Sequence, residues 1–492
     1  MKQLSFPNWL TYLILLLISF LFVFLFSCTT SPLYEHHPFW FYGDSGVFQE
    51  MGVCLLQGGT PYVDLFDHKG PVLWFIQALG IGIGPRWGLL IIQSLSLFCI
   101  LILWYKSTLL IVKETLPSIF ILLAGLLFLM AFYQRGNLCE EWSLPFISVP
   151  IYLYIKRWRV SSDAQTRTPA YQHYDAFIIG LCVGIIAMIR LNNIAPLIGF
   201  VLWHFIRCLQ QKDYKRLWID IALICGAVAI IFILCSTFYL VKASWSGVYE
   251  MIYGSFIFNF IYFDQTWKPT LLLLLQQYIL PVVFLTVTLI CSFKDKTTRN
   301  ISIPVVISYS VSIFCLGFTG FLHYFMILIP LFVITMGLLF QVKALWMYLL
   351  WVYCCAISIH FGYDAIDHLV YRLRGKKAIT EMNDGFHRFV NSISIDERRS
   401  IYNVNVDGFA PGLFANENIY QCNRIIHLTH LSVSTRLQDY LENHGIKEMQ
   451  PLWVITQGPR AEAADEYMQT HYTLADSIPG GEYDPIWCWK RL

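Results

Sequence analysis

Residues 86–105 read RWGLLIIQSLSLFCILILWY. One charge, Arg86, stands at the first position, and everything after it is apolar or small and polar. Wound as a helix, about 20 such residues cover the roughly 30 Å of hydrocarbon in a bilayer. In lipid each backbone N–H and C=O must find its partner within its own segment, so the stretch is predicted to span a membrane. The same pattern recurs on both sides. Spans are expected at roughly 9–27, 86–105, 117–133, 144–157, 175–191, 194–209, 218–241, 270–292, 301–318, 324–341 and 344–361. The fold class expected is therefore an all-α polytopic membrane protein of about 11 transmembrane helices. Composition agrees: of 492 residues 57% are hydrophobic and 13% charged, whereas a soluble domain carries roughly 25% charge. The stretch from Pro71 to Gly84 is too short and glycine-rich to cross, and reads as a helix lying at the membrane surface. The first block, Trp9 to Ser27, has the length of a signal peptide. Ten further blocks follow it, so it is read as an uncleaved first helix.

Lys and Arg set the orientation. With the N-terminus inside, the inner loops hold Lys106, Lys113, the run Lys156-Arg157-Trp158-Arg159, then Lys212, Lys215, Arg216, Lys294, Lys296 and Arg299. The opposite loops hold mainly Lys69, Arg86, Arg135, Arg190, Lys242 and Lys268, which obeys the positive-inside rule. An odd number of spans places the tail after Gly362 outside. The tail is polar, with strand-like runs at Ile401–Val406, Leu452–Thr456 and Ile486–Lys490 and a helix-like run at Ser434–Asn443. Residues 1–361 are accordingly assigned to a transmembrane domain and 362–492 to a small C-terminal α/β periplasmic domain, either a packing cap or an acceptor-binding unit. There is no internal repeat of the kind secondary transporters carry. Net charge is +2, so no nucleic acid is expected as a partner. The 14 cysteines fall mostly inside apolar blocks, and Cys28, Cys54, Cys139, Cys422 and Cys488 are scattered without a CxxC, so no disulfide framework is expected.

Function is read from which loops carry acids. Glu35, Asp44, Glu50, Asp64, Asp67, Glu140 and Glu141 all fall on the outer side, near membrane level. Ionisable groups there are costly and mark functional sites. Asp44, between Gly43 and Ser45-Gly46, is either a helix cap or a site residue. A cap does not account for the cluster Asp67-His68-Lys69 further on. Glu140 and Glu141 open a span, where they complement a helix dipole, or act together with Asn137 and Arg135. Arg190-Leu191-Asn192-Asn193 fills a tight outer turn, and His323-Tyr324 opens a later span. Arg190 alone is consistent with a snorkelling anchor. Four separated loops, however, deliver polar groups to one face. A channel needs polar residues through the middle of several spans, and these spans have almost none. The aromatic-rich stretch from Lys242 to Lys268 is either a cover for a ligand or an amphipathic interfacial helix.

At these residues, over roughly Leu10 to Phe361, the chain resembles the GT-C superfamily of integral-membrane glycosyltransferases. The likeness is greatest to the bacterial branch related to protein O-mannosyltransferases (glycosyltransferase family 39-like) and lipid A aminoarabinose transferase. The markers are Gly43-Asp44-Ser45, Phe66-Asp67-His68-Lys69-Gly70-Pro71, Gly136-Asn137 with Glu140-Glu141, Arg190-Leu191-Asn192-Asn193, and His323-Tyr324-Phe325 with Pro330. Many members carry two adjacent acids in the first outer loop, whereas here Ser45 follows Asp44. Asp44 thus works alone or with Asp67 or Glu140.

The resemblance implies a polyprenyl-phosphate-sugar donor, a glycan, lipid or protein acceptor, membrane lipid as surroundings, and inversion at the anomeric carbon. Asp44, Asp67, Glu140 and Glu141 are the catalytic candidates, with Asp44 as base. His68, Lys69, Asn137, Arg190, Asn192, Asn193, His323 and Tyr324 are the binding candidates, and Lys69, Arg190 and His323 are those suited to a leaving phosphate. No metal or other cofactor is assigned, although Glu140 and Glu141 have the oxygen ligands a divalent cation takes. The rival readings are a lipid or glycolipid transporter or flippase without chemistry, and a structural subunit of an envelope-glycan assembly complex.

Overall fold

The computed structural model describes residues 7–34, 43–85, 87–163, 172–266, 279–294, 298–316, 321–342, 345–373, 380–404, 406, 410–426, 434–457, 466–480 and 484–492. Glu35, Arg86, Lys268, Lys296 and the start of the span expected at 270 lie outside them. Each expected span coincides with a helix where the chain is described. These are α1 (Asn8–Phe26), α4 (Gly88–Val112), α5 (Thr115–Phe132), α6 (Cys139–Asp163), α7 (His173–Ala187), α8 (Ala195–Gln210) and α9 (Tyr214–Ile252). The helices Ile279–Lys294, Arg299–Cys315, Ile329–Val342 and Leu345–Phe361 follow. Two shorter helices, α2 (Asp44–Leu56) and α3 (Pro71–Ile83), fill the long loop between α1 and α4. Among the described residues, five helical stretches are long and apolar enough to cross a membrane by length and composition.

Burial sorts the helices. Ile329–Val342 sits at the centre, against α4, α5 and Ile279–Lys294, with Leu331, Phe332 and Val333 fully buried. The outer helices leave large apolar side chains uncovered, among them Leu17 and Leu21 on α1 and Ile233, Leu234 and Val241 on α9. That pattern suits hydrocarbon as the surrounding solvent. Helices α7 and α9 pack closely, as do α8 and Arg299–Cys315. In the second pair a Cβ on Gly199 would stand 2.1 Å from the Pro304 carbonyl oxygen, so only glycine permits the approach.

The segment after Val241, expected either to cover a ligand or to form an interfacial helix, is helical. Helix α9 breaks at Ala243 and Ser244, resumes to Ile252, passes through a π-helical turn at Tyr253–Ile257 and continues as α10 (Phe258–Thr266). Ser244 sits at φ 58°, ψ −161°, a conformation costly for any residue with a side chain.

The tail holds a four-stranded sheet of β1 (Ile401–Asn403), β2 (Trp453–Gln457), β3 (Tyr472–Ile478) and β4 (Ile486–Arg491), in the order β1-β2-β4-β3. β1 runs parallel to β2, and β4 is antiparallel to both its neighbours. One sheet face packs Ile401, Trp453, Ile455, Ile486 and Cys488 against Phe386, Phe389 and Phe414, and Cys28 and Tyr34 join this cluster from just beyond α1. The tail is thereby docked on the first long loop. Three further contacts fasten it. Gln421 N–H donates to Glu50 Oε1 at 3.0 Å, Phe66 N–H donates to the Arg424 carbonyl at 2.7 Å, and Arg424 and Arg436 both pair with Glu250 of α9. The amphipathic helix Tyr363–Leu373 contacts α1 and α5 rather than the sheet. Cys28, Cys54, Cys139, Cys422 and Cys488, the loop cysteines, are free thiols.

Candidate active site

Asp44 is the first residue of α2. The N-cap position belongs to Gly43, at φ 80°, so Asp44 stands inside the helix start rather than at the cap. The next residue anchors the helix start. Ser45 Oγ donates to Thr29 Oγ1 (2.9 Å) and accepts from Asn137 Nδ2 (2.8 Å). Half-buried, Asp44 faces a cleft of about 400 Å³.

The turn after Phe66 delivers three charged or titratable side chains, all buried. His68 Nδ1 lies 3.5 Å from Asp67 Oδ1, and Lys69 Nζ lies 3.0 Å from His68 Nε2 and 3.9 Å from Asp67 Oδ2. Burial, reinforced by the Lys69 ammonium, pushes the His68 imidazole down to about 4. Burial also works against the charge on Lys69, but Asp67 and then Asp44 outweigh it and hold the ammonium above its usual range. A neutral imidazole beside a permanent ammonium fixes the tautomer: Nε2 accepts from Lys69, and Nδ1–H points to Asp67. The His68 ring stacks on Tyr262 of α10, with centroids 5.1 Å apart. The turn is clamped to the end of α7 by Gly70 N–H to Ile189 O (2.8 Å) and Val72 N–H to Met188 O (2.9 Å). A Cβ on Gly70 would meet the Met188 carbonyl oxygen at 2.2 Å. Asp64 closes the preceding turn by accepting from Thr60 N–H at 2.6 Å.

Gln134, Arg135, Gly136 and Asn137 all have positive φ, at 38°, 78°, 81° and 58°. Three non-glycine residues among four successive positions of positive φ are held only where the surroundings over-determine them. Here a buried network does so. Asn137 and Gln77 exchange amide bonds at 2.8 and 3.0 Å, and Asn137 Oδ1 also accepts from Trp142 Nε1 (2.9 Å). Glu141 accepts from Tyr133 Oη (2.8 Å), from Gln93 Nε2 (3.1 Å) and from Asn137 N–H (2.7 Å). Glu141 and Asn137 therefore shape the wall rather than line the cleft.

Glu140 turns the other way, to an ion pair with Arg190. The two glutamates do not converge as a pair of cation ligands. The Arg190 guanidinium lies 3.9 Å from the centroid of the Tyr324 ring. His323 Nδ1 and Gln134 Oε1 are 2.6 Å apart. Asn193 Nδ2 bonds Ser143 Oγ (2.9 Å) and the Cys139 carbonyl (3.2 Å), clipping the turn to α6. Asn192 is half-buried beside it, and neither asparagine lines the cleft.

Of the residues singled out in the sequence, Asp44, Asp67, His68, Lys69, His323 and Tyr324 line one cleft, with Glu140 and Arg190 directly behind Tyr324. Gln134, Arg135, Asp364 and His368 line it too and were not among the expected site residues. Asp364 and His368 were assigned to the polar tail. The signal available was the amphipathic run YDAIDHLVYRL, whose apolar face lies against α1 and α5.

No family model and no curated protein sequence matches this chain. Solved structures do. The chain is similar to ArnT from Cupriavidus metallidurans in the apo state over 98% of each chain, with a TM-score of 0.59 and 12% identity. It is also similar to the archaeal oligosaccharyltransferase AglB from Archaeoglobus fulgidus, in complex with an inhibitory peptide and a dolichol-phosphate. That match covers 92% of this chain and 70% of the other, with a TM-score of 0.53 and 12% identity. Both are GT-C superfamily membrane glycosyltransferases. The chain carries the GT-C fold.

Proposed function

We propose that this protein is an inverting glycosyltransferase that moves a sugar from a polyprenyl-phosphate-linked donor to an acceptor hydroxyl on a glycan, lipid or protein. One observation carries the proposal: Asp44, Lys69 and His323, from three separated segments, share a single cleft. The solved AglB complex holds a dolichol-phosphate, and a carrier of that chemical class suits a cleft opening beside membrane helices. In the proposed reaction Asp44 takes the acceptor's hydroxyl proton as the oxygen bonds to the anomeric carbon. The bond from that carbon to the phosphate oxygen breaks, and the phosphate leaves as an anion with the electron pair. It needs positive charge rather than a proton, which the Lys69 ammonium and the Arg135 guanidinium supply. Displacement from the opposite face inverts the centre. No metal is assigned. The cleft is placed at the periplasmic face of a bacterial inner membrane, with the N-terminus cytoplasmic, about 11 spans and the tail domain periplasmic. The basic residues Arg157 and Arg216 gather at the far ends of the helices, as positive-inside orientation requires.

The test is transfer from radiolabelled undecaprenyl-phosphate-sugars by purified protein in detergent. Asp44→Asn is expected to lower the rate by on the order of a hundred- to ten-thousand-fold, with an unchanged melting temperature. Transfer persisting in the variant moves the base to Asp67 or Glu140. No turnover by the wild type across a panel of donors and acceptors leaves a flippase.

A further inference from the structure

A second cluster lies at the opposite end of the helices from the cleft. His204 and Cys208 are four residues apart on α8, so both face the same way. Asp220 meets them from α9, and His173, the first residue of α7, closes the group. His204 Nε2 lies 2.9 Å from Asp220 Oδ2, His173 Nδ1 lies 2.6 Å from Asp220 Oδ1, and Cys208 Sγ lies 3.9 Å from His204 Nε2. One donor atom each from His204, Cys208 and Asp220 fits within 4.8 Å, and all three side chains are buried. His173 is half-exposed and provides the way in. From the Arg190 turn to Cys208 the rise along α8 is about 20 Å, so this group takes no part in the cleft.

We propose that His173, His204, Cys208 and Asp220 bind a divalent transition-metal ion of the zinc type. Two imidazoles, a thiol and a carboxylate make a four-donor N2SO set. Sulfur and imidazole favour zinc over magnesium or calcium, which take oxygen. Neighbouring ligands of one tetrahedral zinc stand about 3.3–3.6 Å apart given ordinary zinc–ligand lengths. The His204–Asp220 and Cys208–His204 separations bracket that value, and His173, which meets Asp220 through its other oxygen, would swing toward these three as the fourth ligand. Arg216, with Nε 3.4 Å from Asp220 Oδ2, remains on the carboxylate, which has lone pairs for both. A purely structural His–Asp–Arg network makes no use of the thiol, and Cys208 is what separates the two readings. The ion would pin α7, α8 and α9 in register at this end, while the far end of α7 clamps the turn that carries Lys69. The proposal is independent of the reaction proposed for the cleft.

The experiment is cobalt(II) loading of the purified full-length protein, followed by desalting, metal analysis and absorption spectroscopy. One cobalt per chain is expected, with a thiolate-to-cobalt charge-transfer band in the near ultraviolet. Cys208→Ser is expected to remove that band. His204→Ala is expected to weaken binding by more than the roughly 10–100-fold that losing an outer-shell partner costs. Wild-type protein that retains no cobalt overturns the proposal. So does a spectrum that is the same in wild type and Cys208→Ser. Circular dichroism of each variant separates a lost ligand from a lost fold.

Discussion

Asn137 has no net charge and does not line the cleft, yet it takes part in five buried hydrogen bonds. It joins Ser45 on α2, Gln77 on α3, and Trp142 and Glu141 on α6. Asn137→Ala would leave Gln77 and Trp142 with buried polar atoms unpaired and a non-glycine residue at φ 58° without its restraint. The expected cost is on the order of 3 kcal/mol. It should read as a lowered melting temperature in detergent together with lost transfer, where Asp44→Asn loses transfer alone. An unaltered melting temperature would sink the positioning role. The cleft-lining residues Asp44, Lys69 and His323 were legible in the sequence because a charged or polar group flanked by apolar residues is conspicuous. The neutral amides Gln77 and Gln93 were not. Each looks like a tolerated polar residue in an apolar helix, and only the fold makes Gln93 the donor to Glu141. Glu141 likewise resembled Glu140 in sequence, and their side chains part because one faces Tyr133 and the other Arg190.

Among the elements, hydrophobic length alone located the membrane helices, because hydrocarbon leaves the backbone no other way to satisfy itself. What length could not show was where α9 breaks. The span was expected to end at Val241 with a separate outer segment after it, but the chain stays helical through Ile252 around a break at Ala243 and Ser244. That break re-aims the chain so that α10 brings Tyr262 over His68. Glycine adopts the Ser244 backbone without strain, so Ser244→Gly is expected to raise stability by about 1 kcal/mol, read as a higher melting temperature. A fall of similar size would mean that the serine side chain holds the break. The edge strand β3 escaped notice for a different reason. Its residues 473–477 are exposed, so the apolar alternation that marks a half-buried strand is missing.

For the molecule as a whole, the junction of tail and membrane part contains one buried carboxyl whose charge matters. Glu50 is fully buried on α2, accepts from Gln421 N–H through one oxygen, and its other oxygen has no hydrogen-bond partner among the described residues. Burial raises this group from about 4.5 to about 8, so it is protonated when docked at neutral pH. Between those values the folded chain holds a proton that the unfolded chain has lost. Its contribution to stability is complete below about 4.5 and disappears as pH rises through about 8. Glu50→Gln cannot titrate. The melting temperature of the wild type relative to this variant is therefore expected to fall as pH is raised from 6 to 9. Parallel curves would remove Glu50 from that role. The presence of a small α/β unit in the tail was readable from its strand-like runs. Its seat on the first loop was not, because contacts such as Arg424 to Glu250 join residues far apart in the chain.

The bond from Phe66 N–H to the Arg424 carbonyl has a consequence in time. Every side chain that lines the cleft, from Phe26 to His368, leaves the ribosome before Arg424 does. Chains fold as they are made, N-terminal parts first. A nascent chain already threaded into the membrane thus holds all its charges yet lacks the clamp beside Asp67. Synthesis past residue 424, rather than insertion of the helices, supplies the bond that holds Phe66, and a chain stalled before that residue would lack it.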